Sequence, residues 1–194
     1  DNYKKICTIL LPHDYINFYL TGIKRMEYGD ASGTGLLNVR TRDWCKDLID
    51  FVDPSMIDKI PEIQSSMNVH GEARPEILKE FGLPDGVIVS AGGGDNMMGA
   101  IGTGNVKSGT ITASFGTSGT LYGVSDVPAI DEGGEVAAFC DSTDKWLPLV
   151  CTMNVTVVTE KIRELFSLSL QDLEDSVNQV QPGADGLSFL PYLN

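Results

Sequence analysis

The chain has 194 residues, a hydrophobic fraction of 42%, and a formal net charge of −13 with a pI near 4.4. This length suits one globular domain or parts of two. The acidity argues against nucleic acid or an anionic membrane as a partner, because both require a basic face. Since no signal peptide or membrane-spanning apolar run is visible, a cytoplasmic protein is expected.

The cysteines and histidines show no metal-binding pattern. His13 and His70 are too few and too far apart for a zinc site, so no metal ligand is predicted. No Cys-x-x-Cys pair is present, and reduced structural thiols are expected rather than disulfides. The four cysteines are Cys7, Cys45, Cys140 and Cys151.

The first predicted element is a helix over Asp14–Leu20, closed by Gly22. Its aromatic residues could share one side, and most of the helix is predicted to be core. These residues are Tyr15, Phe18 and Tyr19.

The next segment, Tyr28–Leu37, is rich in Gly, Ser and Thr around Asp30. It is predicted to be a loop or the segment that leads into a helix. Asp30 is expected to orient loop backbone rather than to perform chemistry.

Short elements follow. Asp43 is a candidate N-cap for a helix over Trp44–Val52. The segment Pro61–Gly71 has little periodicity and predicts a connection. Pro75–Phe81 predicts a short amphipathic helix, with a turn after it that is a candidate domain boundary.

The central stretch is Gly86–Gly104, GVIVSAGGGDNMMGAIGTG. Val87–Val89 predict a strand buried on both faces, and Gly92–Gly94 allow a tight turn with close backbone approach. Asp95 then has two interpretations. It is a helix N-cap, or it is a general base or substrate anchor at the carboxyl end of a strand.

A second glycine-rich stretch, Gly109–Ser125, predicts a β-hairpin. Strand-like runs at Thr110–Phe115 and Thr120–Val124 flank the turn Gly116-Thr117-Ser118-Gly119. Such a turn can cradle a phosphate through its N–H and hydroxyl groups, but taken alone the four residues favour an ordinary hairpin turn.

The remaining chain predicts a second hairpin and two helices. Strands are expected at Glu135–Cys140 and Trp146–Thr152, followed by helices over Asn154–Phe166 and Gln171–Val180. Leu187–Leu190 is predicted to be a further strand.

Four ordered motifs carry a resemblance to a known family. They are LLPHDYINFYLTG, DASGTGLLNVRTRDW, GGGDN and SFGTSGTLY. Together they resemble the FGGY family of carbohydrate kinases across essentially the whole chain, and most of all the members that act on D-xylulose. The resemblance implies an α/β protein with the actin-like, ribonuclease H-like ATPase fold, present here as parts of two domains. Residues 1–84 would be the end of the sugar-side domain, and 85–194 the start of the ATP-side domain.

The resemblance also implies functional residues. Asp95 matches the catalytic base and would contact sugar together with Asn96. Gly116, Thr117 and Ser118 would approach the ATP phosphates, with Mg²⁺ as the accompanying ion. The family's first phosphate loop and adenosine motif are not in this sequence, so the chain is expected to be the middle of a longer enzyme and inactive alone. Exposed apolar surface is expected to favour aggregation or a homodimer.

Two alternatives stay open. One is another FGGY kinase, acting on ribulose, gluconate or glycerol. The other is a non-catalytic actin-like module that binds nucleotide or a partner and has no need of Asp95.

Overall fold

A computed structural model describes residues 2–192 and divides the chain into two compact units. The first unit comprises Asp1–Thr112 and Tyr122–Leu149, and the second comprises Ala113–Leu121 and Val150–Asn194. Helices and strands are mixed along the chain, as expected for the α/β class. The domain boundary predicted after residue 84 stays a prediction.

Seven α-helices occur within the described residues. They are α1 (Pro12–Thr21), α2 (Tyr28–Ser32), α3 (Lys46–Val52), α4 (Pro75–Phe81), α5 (Asp95–Gly102), α6 (Thr156–Leu165) and α7 (Leu170–Asn178). Short 3-10 segments cover Tyr3–Lys5, Pro54–Asp58 and Ala184–Gly186. Helix α1 ends as predicted at Gly22, whose φ of 78° places it in the left-handed region that glycine adopts without strain.

The same part of the chain contains nine strands in four small sheets. The strands are β1 (Arg25–Glu27), β2 (Leu37–Asn38), β3 (Asp43–Trp44), β4 (Glu62–Gln64), β5 (Val69–Glu72), β6 (Ile88–Ser90), β7 (Ile111–Phe115), β8 (Gly119–Gly123) and β9 (Leu149–Thr152). Parallel pairing joins β1 to β4, and antiparallel pairing joins β2 to β3 and β5 to β6. The order β7-β8-β9 confirms the first predicted hairpin.

The segment predicted as a connection, Pro61–Gly71, was wrongly assigned. It contains β4 and the start of β5, which pair with Arg25–Glu27 and Ile88–Ser90. These partners are distant in sequence, so the strands depend on long-range pairing rather than on a local pattern.

The prediction that β6 is buried on both faces was also wrong. Ile88 is 62% exposed, whereas Val87 and Val89 pack against the cluster of Ala73, Ile77 and Leu78. Within the described residues β6 pairs only with β5, so its other edge is unpaired, and the exposed Ile88 shows that one of its faces is uncovered.

Two further strand predictions need correction. Of the second hairpin only β9 is a strand, although Ala137 bridges Leu149 and Cys140 bridges Trp146 in the predicted antiparallel sense. Pro148 lacks an N–H and interrupts the ladder. Leu187–Leu190 forms no strand, because it pairs with no neighbouring strand in the described chain.

The predicted N-cap Asp43 does not cap a helix. It pairs with Asn38 between β3 and β2, and α3 starts at Lys46 with Cys45 as its N-cap. Pairing of β2 with β3 fixes Asp43 in extended backbone, three residues before the first residue of α3.

Helix α1 buries its polar side, contrary to the prediction of an aromatic core face. Tyr15 and Tyr19 are 55% and 40% exposed, whereas Asp14, Asn17 and Thr21 are buried. Asn17 donates to the Ala91 carbonyl at 2.8 Å, and Thr21 donates to the Asn17 carbonyl at 2.7 Å. These bonds offset the desolvation of the polar groups, so the helix can point them inward.

The first unit contains three apolar clusters. The largest groups α5 with β8 and the segment that leads into β9; it consists of Met97, Ala100, Tyr122, Val124, Leu147 and Leu149. A second packs around α2 and consists of Met26, Tyr28, Ala31, Leu37 and Cys140. The third is the α4 cluster under β6.

The second unit has little buried apolar surface of its own. Among its described hydrophobic residues, only Val158 of α6 is buried. The start of α6 is fixed to the hairpin turn, because the Thr156 N–H and Oγ1 both donate to the Gly116 carbonyl.

No helix in the described residues is both long and apolar enough to cross a membrane. All four cysteines are free thiols, and Cys140 is fully buried.

Candidate active site

The turn between β6 and α5 presents a carboxylate at a helix start. Asp95 is exposed and is the first residue of α5, while Gly94 is the N-cap. The N-cap interpretation of Asp95 was therefore wrong by one position. Its Oδ1 accepts from the Asn96 N–H at 2.7 Å and from Asn96 Nδ2 at 3.1 Å. A carboxylate here is favoured by the helix dipole.

The first two residues of this turn, Gly92 and Gly93, must be glycine for different structural reasons. Gly92 has φ of 74°, and a Cβ added there would lie 2.6 Å from His13 Nε2. Gly93 has ordinary φ, but its added Cβ would lie 2.3 Å from Ser142 Oγ. Contacts under 3 Å cannot be accommodated without movement, so the turn is glycine-rich because side chains press on it from two sides.

Helix α1 holds the carbonyl of Ala91, the residue that precedes the turn. His13 Nε2 lies 2.7 Å from the Ala91 oxygen, and Asn17 Nδ2 lies 2.8 Å from it. The two side chains are one helical turn apart and reach the same acceptor. Ala91 itself is fully buried.

Two carboxylates face the other nitrogen of His13. Its Nδ1 lies 3.3 Å from Asp14 Oδ1 and 3.7 Å from Asp30 Oδ2. The first contact is not aligned as a hydrogen bond, since Nδ1 has no hydrogen-bond partner in the described chain, and the other oxygen of Asp14, Oδ2, has none either. Asp14 is 1% exposed. His13, isolated in the sequence, thus belongs to a group of three titratable side chains, His13, Asp14 and Asp30, whose facing atoms all lie within 4.8 Å of one another.

Asp30 does not orient the loop backbone as predicted; that role belongs to Glu27. The buried Glu27 carboxylate caps α2, accepting from Gly29 N–H at 2.8 Å and also from Asp30 N–H and Ser66 Oγ. The Asp30 side chain instead faces His13 and the turn, with Oδ1 lying 3.5 Å from a Cβ added at Gly94.

The pKa values of these groups reflect burial and their mutual charges. Burial raises the pKa of Glu27, against the hydrogen bonds that it accepts. Burial also raises the pKa of Asp30, and the negative charges of Asp14 and Asp95 add to this, while His13 lowers it. The contact with Asp14 raises the pKa of His13, against the opposing effect of burial. The contact with Asp14 thus favours the protonated form of the His13 imidazole, whereas burial favours the neutral form of the Asp30 carboxyl.

The predicted phosphate turn lies in the second unit. The Gly116 N–H donates to the Ser118 carbonyl at 2.8 Å, and the Thr117 carbonyl accepts from Val155 N–H at 3.0 Å. The N–H and hydroxyl groups of Thr117 and Ser118 have no partner among the described residues. The turn thus fits an oxyanion through Thr117 and Ser118, but the Gly116 N–H is already used.

The sequence singled out Asp95 and Asn96, whose roles stay predictions, but not the side chains on and around the segments that pack against the turn. These are His13, Asp14, Asn17, Glu27 and Ser142. A usable signal was present in α1, where polar residues recur at positions 13, 17 and 21 on one helical face. No local signal pointed to Ser142, which is buried without a hydrogen-bond partner for its Oγ.

Comparison with known proteins gives a consistent result. Residues 1–102 match the N-terminal domain of the FGGY family of carbohydrate kinases. The chain is 42% identical to the xylulose kinase of Haemophilus influenzae over 196 aligned positions, covering 100% of this chain and 40% of the relative. The chain therefore spans about two fifths of the length of that curated relative.

Solved structures share the fold. A xylulose kinase from Brucella ovis superposes with a TM-score of 0.88 at 28% identity, over 98% of this chain and 40% of that one. A gluconate kinase from Lactobacillus acidophilus gives a TM-score of 0.82 at 27% identity, over 93% and 37%.

The sequence match covers more than half of the chain, and the similarity to the Haemophilus influenzae kinase extends over all of it. The motifs around Asp95 lie within these matches. The chain belongs to the FGGY family of carbohydrate kinases and has the actin-like ATPase fold of that family.

Proposed function

We propose that the protein containing this chain transfers the γ-phosphoryl group of ATP to a sugar hydroxyl, converting D-xylulose to D-xylulose 5-phosphate. The observation that carries this proposal is the exposed Asp95 carboxylate, placed at the start of α5 by a tightly packed glycine turn. The xylulose kinases among the similar proteins support the choice of sugar. A cytoplasmic location follows from the same proposal.

In this mechanism Asp95 is the general base. It accepts the proton of the sugar hydroxyl while that oxygen forms a bond to the γ-phosphorus and the bond to the β-γ bridging oxygen breaks, releasing ADP. Asn96 donates its side-chain amide to a sugar hydroxyl. The turn Gly116–Ser118 binds phosphate oxygens through the unpartnered groups of Thr117 and Ser118.

Mg²⁺ accompanies ATP and offsets the charge of the phosphates when bound. The carboxylates nearest to the Asp95 turn, Asp14 and Asp30, already face the imidazole of His13. We assign them to the support of the turn and not to the metal.

The test is Asp95→Asn in the complete kinase, followed by ADP release with D-xylulose. Loss of the base is expected to lower kcat by about 10²–10⁴ with little change in the unfolding temperature. Asp85→Asn is the matched control, because Asp85 is an exposed aspartate in the turn before β6. Activity of Asp95→Asn within a few-fold of the parent would exclude the base assignment and favour a non-catalytic module.

A second candidate is phosphorylation of a related substrate such as gluconate, because a gluconate kinase has the same fold over most of this chain. A panel of D-xylulose, ribulose, gluconate and glycerol decides between them. The highest kcat/KM identifies the physiological substrate class, and D-xylulose is expected to give it.

A further inference from the structure

His13 is in direct contact with the backbone that leads to Asp95. Its Nε2 lies 2.7 Å from the Ala91 carbonyl oxygen, and a Cβ added at Gly92 would lie 2.6 Å from the same nitrogen. The His13 ring therefore packs directly against the backbone at the start of the turn. Any shift of the ring changes the space available to Gly92.

Both ring nitrogens of His13 face acceptors. A carbonyl oxygen only accepts, so Nε2 carries a hydrogen. Nδ1 faces carboxylate oxygens of Asp14 and Asp30 at 3.3 and 3.7 Å, where a lone pair would be repelled. A second proton on Nδ1 removes this repulsion and makes the ring an imidazolium. Asn17 donates to the same carbonyl but is neutral.

We propose that His13 is a positioning residue of this kinase, which as an imidazolium holds the Ala91 carbonyl and balances Asp14 and Asp30, so that the turn keeps Asp95 in place. The inference rests on the proposed function. His13 touches neither sugar nor nucleotide in it and acts only through the turn. A neutral ring would leave two carboxylates facing each other behind Gly94.

The charged groups around His13 determine the pH dependence. Asp14 on α1, Asp30 on α2 and Glu27 before α2 are all acidic, and Asp95 on α5 acts on Asp30. Contact with Asp14 raises the pKa of His13 above its ordinary value of about 6.5. The stabilisation is therefore complete below about pH 6.5 and is lost as the pH rises through the higher pKa of the folded protein. Activity is expected to fall on the alkaline side.

The test compares His13→Gln and His13→Lys in the complete kinase. Gln can still donate to Ala91 but has no charge, so kcat is expected to fall about 10- to 100-fold, with the sugar KM changed less than about threefold. The alkaline decline of kcat is expected to disappear in this variant. Lys keeps the charge, so kcat should recover most of the loss and the decline should move towards pH 10.

Asn17→Ala is the matched control, because it removes the neutral donor to the same carbonyl. It is expected to keep the alkaline decline at the parent pH even if kcat falls. Unfolding temperatures of all variants show whether each is folded. An alkaline decline that persists in His13→Gln, or a Lys variant no better than Gln, would overturn the proposal.

The charge of His13 is also measurable without activity. Histidine labelled with ¹³C gives a ring signal whose titration reports the pKa in the folded kinase, and the His13 signal is identified by its loss in His13→Gln. A pKa above about 6.5 supports the proposal, and one at or below it overturns it. A parent enzyme that is inactive on every sugar refutes the proposed function instead, while this titration still reports on His13.

Discussion

Among the glycines of the turn, Gly93 is the one at which an added side chain would make the shortest contact, and that contact is with Ser142. A Cβ at position 93 would lie 2.3 Å from Ser142 Oγ and 3.5 Å from Ser142 Cβ. The nearby Met98 Cε, at 2.8 Å, is the end of a flexible side chain and can move. The buried Ser142 hydroxyl is thus the main obstacle to a side chain at this position.

At the scale of single residues, we predict that substitutions at positions 93 and 142 have strongly non-additive effects on the free energy of unfolding. Gly93→Ala should destabilise the protein by about 1–3 kcal/mol through overpacking, and Ser142→Ala should be nearly neutral because its hydroxyl has no partner in the described chain. The double variant should resemble Ser142→Ala. Urea unfolding of the four proteins gives the coupling energy.

Gly102→Ala is the control for this cycle. A Cβ at Gly102, the last residue of α5, would meet nothing within 4 Å. It should be neutral or slightly stabilising. Additive effects of the changes at 93 and 142 would contradict the packing argument.

At the scale of elements, the hairpin turn between β7 and β8 carries the prediction about ATP. Thr117→Val removes one hydroxyl and keeps the side-chain shape and the backbone bond from Val155 to Thr117. A hydrogen bond to a charged group is worth about 1.5–3 kcal/mol, so the KM for ATP should rise about tenfold or more. The KM for sugar should change less than about twofold in the same steady-state measurements.

Thr110→Val, just before β7, is a suitable comparison, because it is the same substitution at an exposed position outside the turn. It should leave both KM values near those of the parent. If Thr117→Val also leaves the KM for ATP unchanged, the phosphate contact lies elsewhere in the protein.

Helix α1 shows what the sequence could and could not predict. Its stop at Gly22 follows from local rules and was predicted correctly, although the helix begins at Pro12, two residues before the predicted start. The buried face was not, because Asn17 is stabilised by a carbonyl 74 residues away. The same holds for β4 and β5, which exist through distant partners, whereas the β7–β8 hairpin is local and was found. Asp95 was singled out by the resemblance of its glycine turn to the family motif, and its role stays a prediction; the side chains that pack against the turn became visible only in the folded chain.

At the scale of the whole molecule, much of the apolar surface is uncovered. Phe51 is 89% exposed, and the second unit has a large set of exposed apolar side chains. That set includes Leu165, Phe166, Leu170, Val177, Leu187, Phe189, Leu190 and Tyr192. Surfaces of this kind are normally covered by another part of the protein or by a partner.

The 194-residue chain alone is therefore predicted to be inactive and to self-associate. Phosphoryl transfer requires ATP, metal and acceptor held in line, and this chain spans only 40% of a related kinase. ADP release with ATP, Mg²⁺ and D-xylulose should stay at background, and light scattering should show dimers or larger species despite the net charge of −13. Sustained turnover that Asp95→Asn removes would show that this segment is sufficient.

The group formed by His13, Asp14 and Asp30 also restricts which substitutions these positions tolerate. Asp14 is buried against His13, so changing His13 to a neutral residue removes the partner that the proposal gives to the Asp14 carboxyl. Changing Asp14 removes the contact that raises the pKa of His13. Each single step to a neutral residue is costly, whereas replacing His13 by another cation keeps the balance. Substitutions at these positions are therefore expected either to preserve the charges or to occur together. This ties position 30 to the neighbouring positions 13 and 14, although 15 residues separate it from them in the chain.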